Sequence, residues 1–560
     1  MHANTWDDYH ERAERQRKIS LEDDEGKRKS QVTLLIEIAE RWEVFHDADQ
    51  AGYIVIDDDV QKVLPIRSKA FQTLLSGEFF KLTGKGCNGN AVSDALSTIE
   101  ARAVFTGPEH PVYVRVARTD DHIYLDLCDE QWRAIEISPD GWRIAENPPV
   151  YFVRKNGMSA LPIPTKGGSA ADIRKFLNIH EEQLELVIGW MLGALRGKAP
   201  YPVMVLQGEQ GTGKSTTSRV LRSFVDPSTT PLRSPPREVR DLLVSAINNH
   251  LVVLDNLSGL NPELSDCLCR FATGGGLDAR ALFTNMEQVL VDIQRPVLVN
   301  GIDDIATRPD LSERSLILNL PVIDPTKRRD ERSFWAEFDI AKPGIMGGLL
   351  DALSCALRME SSVKLAQKPR MADFAIWVTA AEPALNWEDG AFMARYDMMQ
   401  ESAVMDGIEA SPVGSALLEL LTNKEEWIGS PTTLLRDLEV IAGSAAKSKA
   451  WPQSTKGLKN ILQRLAPSFR KLGITVEDSR TRTGRFYKIT KAANYPSHPS
   501  HPSQSFKNND LGVTDSVTDS DSVTDSKTYV SPSKPTAGAG CDACDSCDGY
   551  SGDFVDEGEF

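Results

Sequence analysis

Residues 208–215 read Gly-Glu-Gln-Gly-Thr-Gly-Lys-Ser, with an apolar run at 203–206 before them and helical periodicity through Val220, Leu221 and Phe224 after them. Strand, glycine loop and helix in that order suit a phosphate chain. Gly208, Gly211, Thr212 and Gly213 let backbone N–H groups turn inward at a helix N-terminus, where they surround phosphate oxygens. Lys214 then reaches the terminal phosphates and Ser215 offers its hydroxyl to Mg²⁺, with Thr216 completing the nucleotide-binding set. ATP and Mg²⁺ are the expected cofactors. A glycine turn with an incidental lysine would not need these flanks.

Three further positions fit the same chemistry. Four apolar residues at 251–254 end in Asp255 and Asn256, where an adjacent strand would hold the water shell of Mg²⁺, so Asp255 is the expected metal-sphere carboxylate. The run 295–300 ends in Asn300, which can orient the attacking water or sense the γ-phosphate, or can be a plain strand-end amide. Arg314 directly precedes the apolar run 316–320. From there it can project to a neighbouring subunit's γ-phosphate and stabilise charge in the transition state, or pair with Glu313 as a surface arginine.

With these residues in place, the stretch from about 171 to 322 resembles the ATPase domain of superfamily 3 helicases, and more closely the poxvirus-like primase-helicases carried by phages and integrated elements. The likeness includes Thr273-Gly-Gly-Gly-Leu-Asp-Ala-Arg280-Ala-Leu-Phe283 and Arg295-Pro-Val-Leu-Val-Asn300. It implies an AAA+-like fold, a homo-hexameric ring, and ATP hydrolysis that moves the ring along single-stranded DNA. Arg280 and the segment 285–294 would line the channel. Many such ATPases carry a second acid after the metal-binding Asp, whereas this chain has Asn256, which cannot accept a proton. Either Glu209 serves, or Asn256 only positions water and hydrolysis is slow. The resemblance thus points to a replication-initiation helicase of a phage or integrated mobile element. The alternative is a DNA-bound ATP switch that never unwinds. A small-molecule kinase or GTPase fits worse, because Asn423-Lys-Glu-Glu lacks the Asp that reads guanine.

The elements that must position these residues make a multidomain fold. Residues 1–30 are charged and read as disordered. Helical spacing at 34–42, 68–82 and 90–105, then short alternating runs from 112 to 153, predict an N-terminal α+β domain over 31–160 that ends in a β-meander. Asp126 and Asp129 in that meander lack the Asp-x-Asp spacing of a primase and suit acidic turns. A Pro/Gly linker and helical segment come next at 161–199, then an α/β P-loop ATPase core at 200–325 and a helical lid at 326–405. Residues 412–491 read as three helices and a hairpin, which make a winged helix. Lys456, Lys459 and Arg464 on its third helix, and Arg480, Arg482 and Arg485 on its wing, suit the phosphates of duplex DNA, or are a solvated charge face on a protein-binding winged helix. It is similar to the C-terminal winged helix of the same phage proteins.

Charge separates this module from the C-terminal segment. Residues 447–491 hold twelve basic side chains against two acidic, a net +10, whereas 497–560 hold twelve acidic against three lysines, a net −9. The Ser/Thr/Asp-rich segment 495–560 reads as a disordered acidic tail, either merely solubilising or a docking site for a replication partner. Its Cys541, Cys544 and Cys547 have metal-like spacing but supply only three ligands. The other five cysteines are scattered, no apolar run approaches the ~20 residues of a membrane helix, and no secretory signal precedes the fold. A cytoplasmic protein without a membrane partner is the expectation.

Overall fold

The structure is a computed structural model that describes residues 19–492 except 58–59, 199, 237, 275–276, 279–289, 292, 303–304, 307, 423 and 482–483. The terminal segments expected to be disordered, including Cys541, Cys544 and Cys547, lie largely or wholly outside the described residues.

Helix α1 (Gln31–Ala39) starts where the Ser30 hydroxyl accepts from Thr33 N. It is followed by an antiparallel sheet of β1 (Glu43–His46), β2 (Gly52–Asp57) and β3 (Gln61–Pro65), then by α2 (Lys69–Thr83) and α3 (Gly89–Thr106). The three helices fall where the periodicity places them. The sheet is not legible in the sequence, because both of its faces are covered. Val44, Ile54 and Ile56 join the helices' core, while Phe45, Val55 and Val63 pack with Val153. A strand buried on both sides reads as an apolar run and loses its alternation.

The meander is present. After β4 (Val112–Tyr113), strands β5 (Val116–Arg118), β6 (Ile123–Asp126), β7 (Ala134–Ser138) and β8 (Gly141–Ala145) pair antiparallel in chain order, and β9 (Tyr151–Phe152) returns parallel to β4. Its core membership differs from the grouping 31–160. Val116, Ile123, Leu125, Leu127, Ile135 and Ile137 belong to one buried cluster with the parallel strands that follow residue 200, whereas Leu34 to Ala103 form their own. The join is polar too. Arg115, wholly buried and at φ 70°, donates to Asp226 at 2.9 Å and to the carbonyls of Asp126, Ser159 and Pro227. Burial alone would raise the Asp226 pKa, but Arg115, His250 and Arg222 outweigh it and hold the carboxyl low.

The α/β block contains α4 (Leu184–Ala194), β10 (Val203–Gln207), α5 (Lys214–Val225), α6 (Val239–Asn248), β11 (Val252–Leu257) and α7 (Pro262–Thr273). It continues with β12 (Leu277–Asp278), β13 (Leu290–Val291), β14 (Val297–Gly301), α8 (Pro309–Ser312) and β15 (Ser315–Asn319). The order β11-β14-β10-β15 is parallel throughout, which puts β10 inside the sheet. Every residue of β10 and β14 is buried, as a sheet covered on both faces requires.

Helices α9 (Glu331–Met359), α10 (Ala372–Leu385) and α11 (Ala391–Glu409) come after β15. They are not a separate lid, because Phe338, Leu349, Phe374, Trp377, Phe392 and Tyr396 enter the same core as the sheet. By length and composition the helical stretch beginning with α9 could cross a membrane, yet 61% of its apolar window is buried in this fold. The 161–168 segment is likewise no free linker. Thr165 N donates to Pro343 O at 3.0 Å, and a Cβ on Gly347 would overlap Thr165 O. A Gly347→Ala chain will therefore be destabilised by about 1–3 kcal/mol, seen as a lower melting midpoint, whereas Ala at Gly407, which faces open space, will not lower it.

The last described module runs α12 (Pro412–Thr422), β16 (Glu426–Gly429), α13 (Pro431–Ala442), α14 (Thr455–Lys471), β17 (Ile474–Thr481) and β18 (Gly484–Lys491), with strand order β16-β18-β17. It has its own core, in which Val413, Leu417, Leu434, Leu458, Phe469 and Ile489 are buried. The short β16 carries little sequence signal because Trp427 is its one buried side chain.

Candidate nucleotide site and basic surface

β10 delivers the chain to the glycine loop, and α5 begins at Lys214. Gly213 caps that helix at φ 85°, a left-handed conformation that a side chain would strain. At Gly208 (φ 147°) a Cβ would lie 2.8 Å from Leu320 O, so two backbones pass too close for any other residue. Lys214 Nζ donates to Gly208 O at 2.8 Å and Glu209 O at 2.7 Å, closing the loop on itself. Burial lowers the Lys214 pKa, with the Asp255 charge opposing. Thr212 is fully buried, its hydroxyl donating to Glu209 O. Asn178 Nδ2 braces the loop from outside by donating to Thr212 O and Pro321 O.

The strand ends beside the loop bring Asp255 and Asn300 together with Ser215. Ser215 Oγ donates to Asp255 Oδ1 at 2.8 Å, and Asn300 Nδ2 reaches the same oxygen at 2.7 Å and Ser218 Oγ at 2.9 Å. Asn300 is 1% exposed, and its Oδ1 accepts from Asn256 N. It therefore fixes both neighbours, which a plain strand-end amide would not do. Asn256 sits at φ 60° within an irregularity of β11 between Leu254 and Leu257, a conformation that Asn tolerates, and is exposed into the cleft. That cleft, about 290 Å³, is lined by Gln210, Gly211, Gly213, Lys214, Ser215, Thr216, Asn256, Asn300 and Ile302. Glu209 is exposed and not among the lining side chains.

Among the described residues no three His, Cys, Asp or Glu side chains gather around a metal position. One hydroxyl and one carboxylate are what Mg²⁺ takes from protein when phosphates and water supply its remaining ligands, so the pair Ser215 and Asp255 fits that ion. Sequence reasoning missed Ser218 and Asn178. Ser218 lies one helical turn beyond Lys214, which could have flagged it; Asn178 carries no sequence signal.

Arg314 lies elsewhere. β15 runs parallel to β10 with Ser315 opposite Val203 and Asn319 opposite Gln207, so Arg314 stands one strand length, roughly 16 Å, from its own phosphate loop. Its side chain is 14% exposed and bonded to Asp310, not to Glu313. Glu313 instead takes Arg370 at 3.0 Å and Lys471 of α14 at 2.9 Å, and Arg370 also reaches Asp310. The expectation of a projecting arginine is thus corrected: in this conformation Arg314 is folded onto its own helix α8.

Of the basic residues expected at DNA, Lys456, Arg464 and Arg480 are exposed and carry no ion pair among the described residues. Lys459 stands 4.0 Å from Asp478 and Arg485 forks onto the same carboxylate, so both are partly neutralised. Arg280 and Arg482 lie outside the described residues. β12 pairs antiparallel with β13, which falls within the segment 285–294 expected to line the channel, and residues 279–289 between them are outside the described residues. In the meander, Asp126 is 1% exposed and forked by Arg154, and Asp129 pairs with Arg133. Both acids are occupied in holding the 126–133 turn.

Comparison with known proteins adds two family matches. Residues 172–397 match a model described as the actinomycete integrative conjugative element replication protein, and residues 413–505 match the C-terminal domain model of the same RepA group. No curated protein matches. Solved structures that align include the apo C-terminal region of NrS-1, at 13% identity and TM-score 0.38, covering 83% of this chain and 100% of that one. The SCCmec type IV Cch active helicase aligns at 12% identity and TM-score 0.40, covering 80% and 92%. The JCV helicase aligns at 16% and 0.23, covering 41% and 64%. Over 172–397 and 413–505 the chain is accordingly similar in sequence to replication proteins of actinomycete integrative conjugative elements.

Proposed function

We propose that this chain is an ATP-hydrolysing replication-initiation protein that acts on DNA as a helicase. The observation that carries the reading is the Ser215–Asp255–Asn300 cluster, in which Asp255 and Asn300 stand at the ends of the adjoining parallel strands β11 and β14 and Ser215 at the start of α5, directly beside the glycine loop. Ser215 and Asp255 would hold Mg²⁺, which when bound neutralises charge on the phosphates. Lys214 exchanges its two carbonyl partners for phosphate oxygens. Asn300 holds the Asp255 carboxylate and the Asn256 backbone in place, and Asn256 positions water in the cleft. The 412–491 module, read as a winged helix, would present Lys456, Arg464 and Arg480 to duplex DNA, a reading that its order of helices and strands supports. A homo-hexameric ring would pass single-stranded DNA along Arg280 and the segment 285–294, and the acidic tail would recruit a partner.

ATP turnover by the full chain, with and without single-stranded DNA, tests this. Wild type will be stimulated by DNA and will open a forked duplex, while Lys214→Ala will lose at least 10²-fold in turnover. Equal turnover by Lys214→Ala would sink the ATPase reading. A second reading, an ATP switch, is favoured by Asn256 standing where a carboxylate is expected. It predicts ATP-dependent DNA affinity with the fork left intact.

A further inference from the structure

The chain leaving β15 does not turn away from the phosphate loop but runs along it. Leu320 N donates to Gln207 O at 2.8 Å, and Leu320 O closes on Gly208. Pro321 O shares the Asn178 amide with Thr212 O. Ile323 Cδ1 lies 3.5 Å from where a Cβ on Gly213 would stand, and Arg328 Nη2 lies 3.8 Å from the corresponding position on Gly211. The 320–328 segment thus touches the loop at three of its glycines. Asp324 caps the short turn Pro325–Lys327 with its side chain, and the chain carries straight from there to Arg328.

Arg328 is exposed and, among the described residues, makes no hydrogen bond or ion pair. Its neighbours differ: Arg329 pairs with Glu337, and Arg219 pairs with Glu331 at 2.9 Å. A guanidinium left free beside a glycine that lines the cleft has a planar fork matched to phosphate oxygens. Arg314, by contrast, stands at the other end of β15 and is bonded to Asp310.

We propose that Arg328 is a phosphate-binding residue of its own chain's nucleotide site, contacting the terminal phosphate of a nucleoside triphosphate from the Gly211 side. This rests on the ATPase reading. The contact gives the site a cation on each flank of the phosphate chain, Lys214 from the helix and Arg328 from the strap after β15. It also makes the path from β15 to α9 sensitive to whether the third phosphate is present.

The test is fluorescence titration of the full chain with a fluorescent ATP and a fluorescent ADP in Mg²⁺, comparing Arg328→Ala, Arg328→Lys and Lys214→Ala. Arg328→Ala should weaken ATP on the order of tenfold or more while leaving ADP within about threefold, with Arg328→Lys between it and wild type. Unchanged ATP affinity in Arg328→Ala, alongside weakened binding in Lys214→Ala, overturns the proposal and leaves the ATPase reading standing. Equal loss for ATP and ADP overturns the terminal-phosphate assignment. Binding that ignores Lys214→Ala overturns the site itself, and Arg328 with it.

Discussion

A chain that starts at residue 161 will not fold, whereas one that starts at residue 111 will keep a cooperative melt of the parallel-sheet core. The first loses Val116, Ile123, Leu125, Leu127, Ile135 and Ile137 from the cluster they share with the parallel sheet. Each such buried aliphatic side chain is worth about 1.5–3 kcal/mol. It also strips Arg115 from Asp226, which is almost wholly buried. Leaving a buried charge without its partner costs about 3–5 kcal/mol. Together these losses reach the whole stability of an ordinary domain, about 5–15 kcal/mol. The second chain removes α1 to α3, whose core is largely their own, together with β1 to β3, and gives up the smaller packing of Phe45, Val55 and Val63 on Val153 and the ring contacts of Phe45 and His110 with Tyr151. Circular dichroism melts of the two chains decide it; a folded 161 chain would mean that the meander is an attachment and not a wall of the core.

Asn256→Asp will raise ATP turnover about 10²-fold or more. The residue already lines the cleft, and its left-handed φ suits Asp as well as Asn. Its backbone N–H stays on Asn300 Oδ1, so the substitution changes a proton acceptor and not a scaffold. Steady-state phosphate release checks it, with Glu209→Gln beside it. Turnover that is unmoved by Asn256→Asp and lost in Glu209→Gln would place the base on the loop instead.

The site is more legible in the sequence than its supports. Lys214, Ser215 and Asp255 are recoverable because the chemistry fixes both residue type and spacing, and the parallel strands show as apolar runs because two covered faces leave no polar positions. The bracing by Asn178 and the approach of Arg328 join positions far apart in sequence, which no local pattern encodes. Arg314 shows the opposite error: its place before β15 is plain, but its partner is not, since Asp310 lies one helical turn back on the four-residue α8. A boundary at 160 fails for a related reason. A Pro/Gly stretch looks like a spacer, and only the glycine seam of α9 shows that it is packed.

A parallel sheet has two chemically unlike rims. Here the rim at the strand ends carries the phosphate loop, Asp255, Asn300 and the Arg328 strap, and the rim at the strand starts carries Arg314 with its Asp310, Glu313, Arg370 and Lys471 neighbours. One molecule therefore has the glycine loop on one rim and, on the far side, a latched cation. Copies that meet loop rim to arginine rim use two different surfaces, so their contact has a direction and repeats without a twofold axis. The latch adds a condition to that geometry, because freeing Arg314 for a neighbour means breaking its bond to Asp310, in a cluster whose outermost member, Lys471, belongs to the 412–491 module.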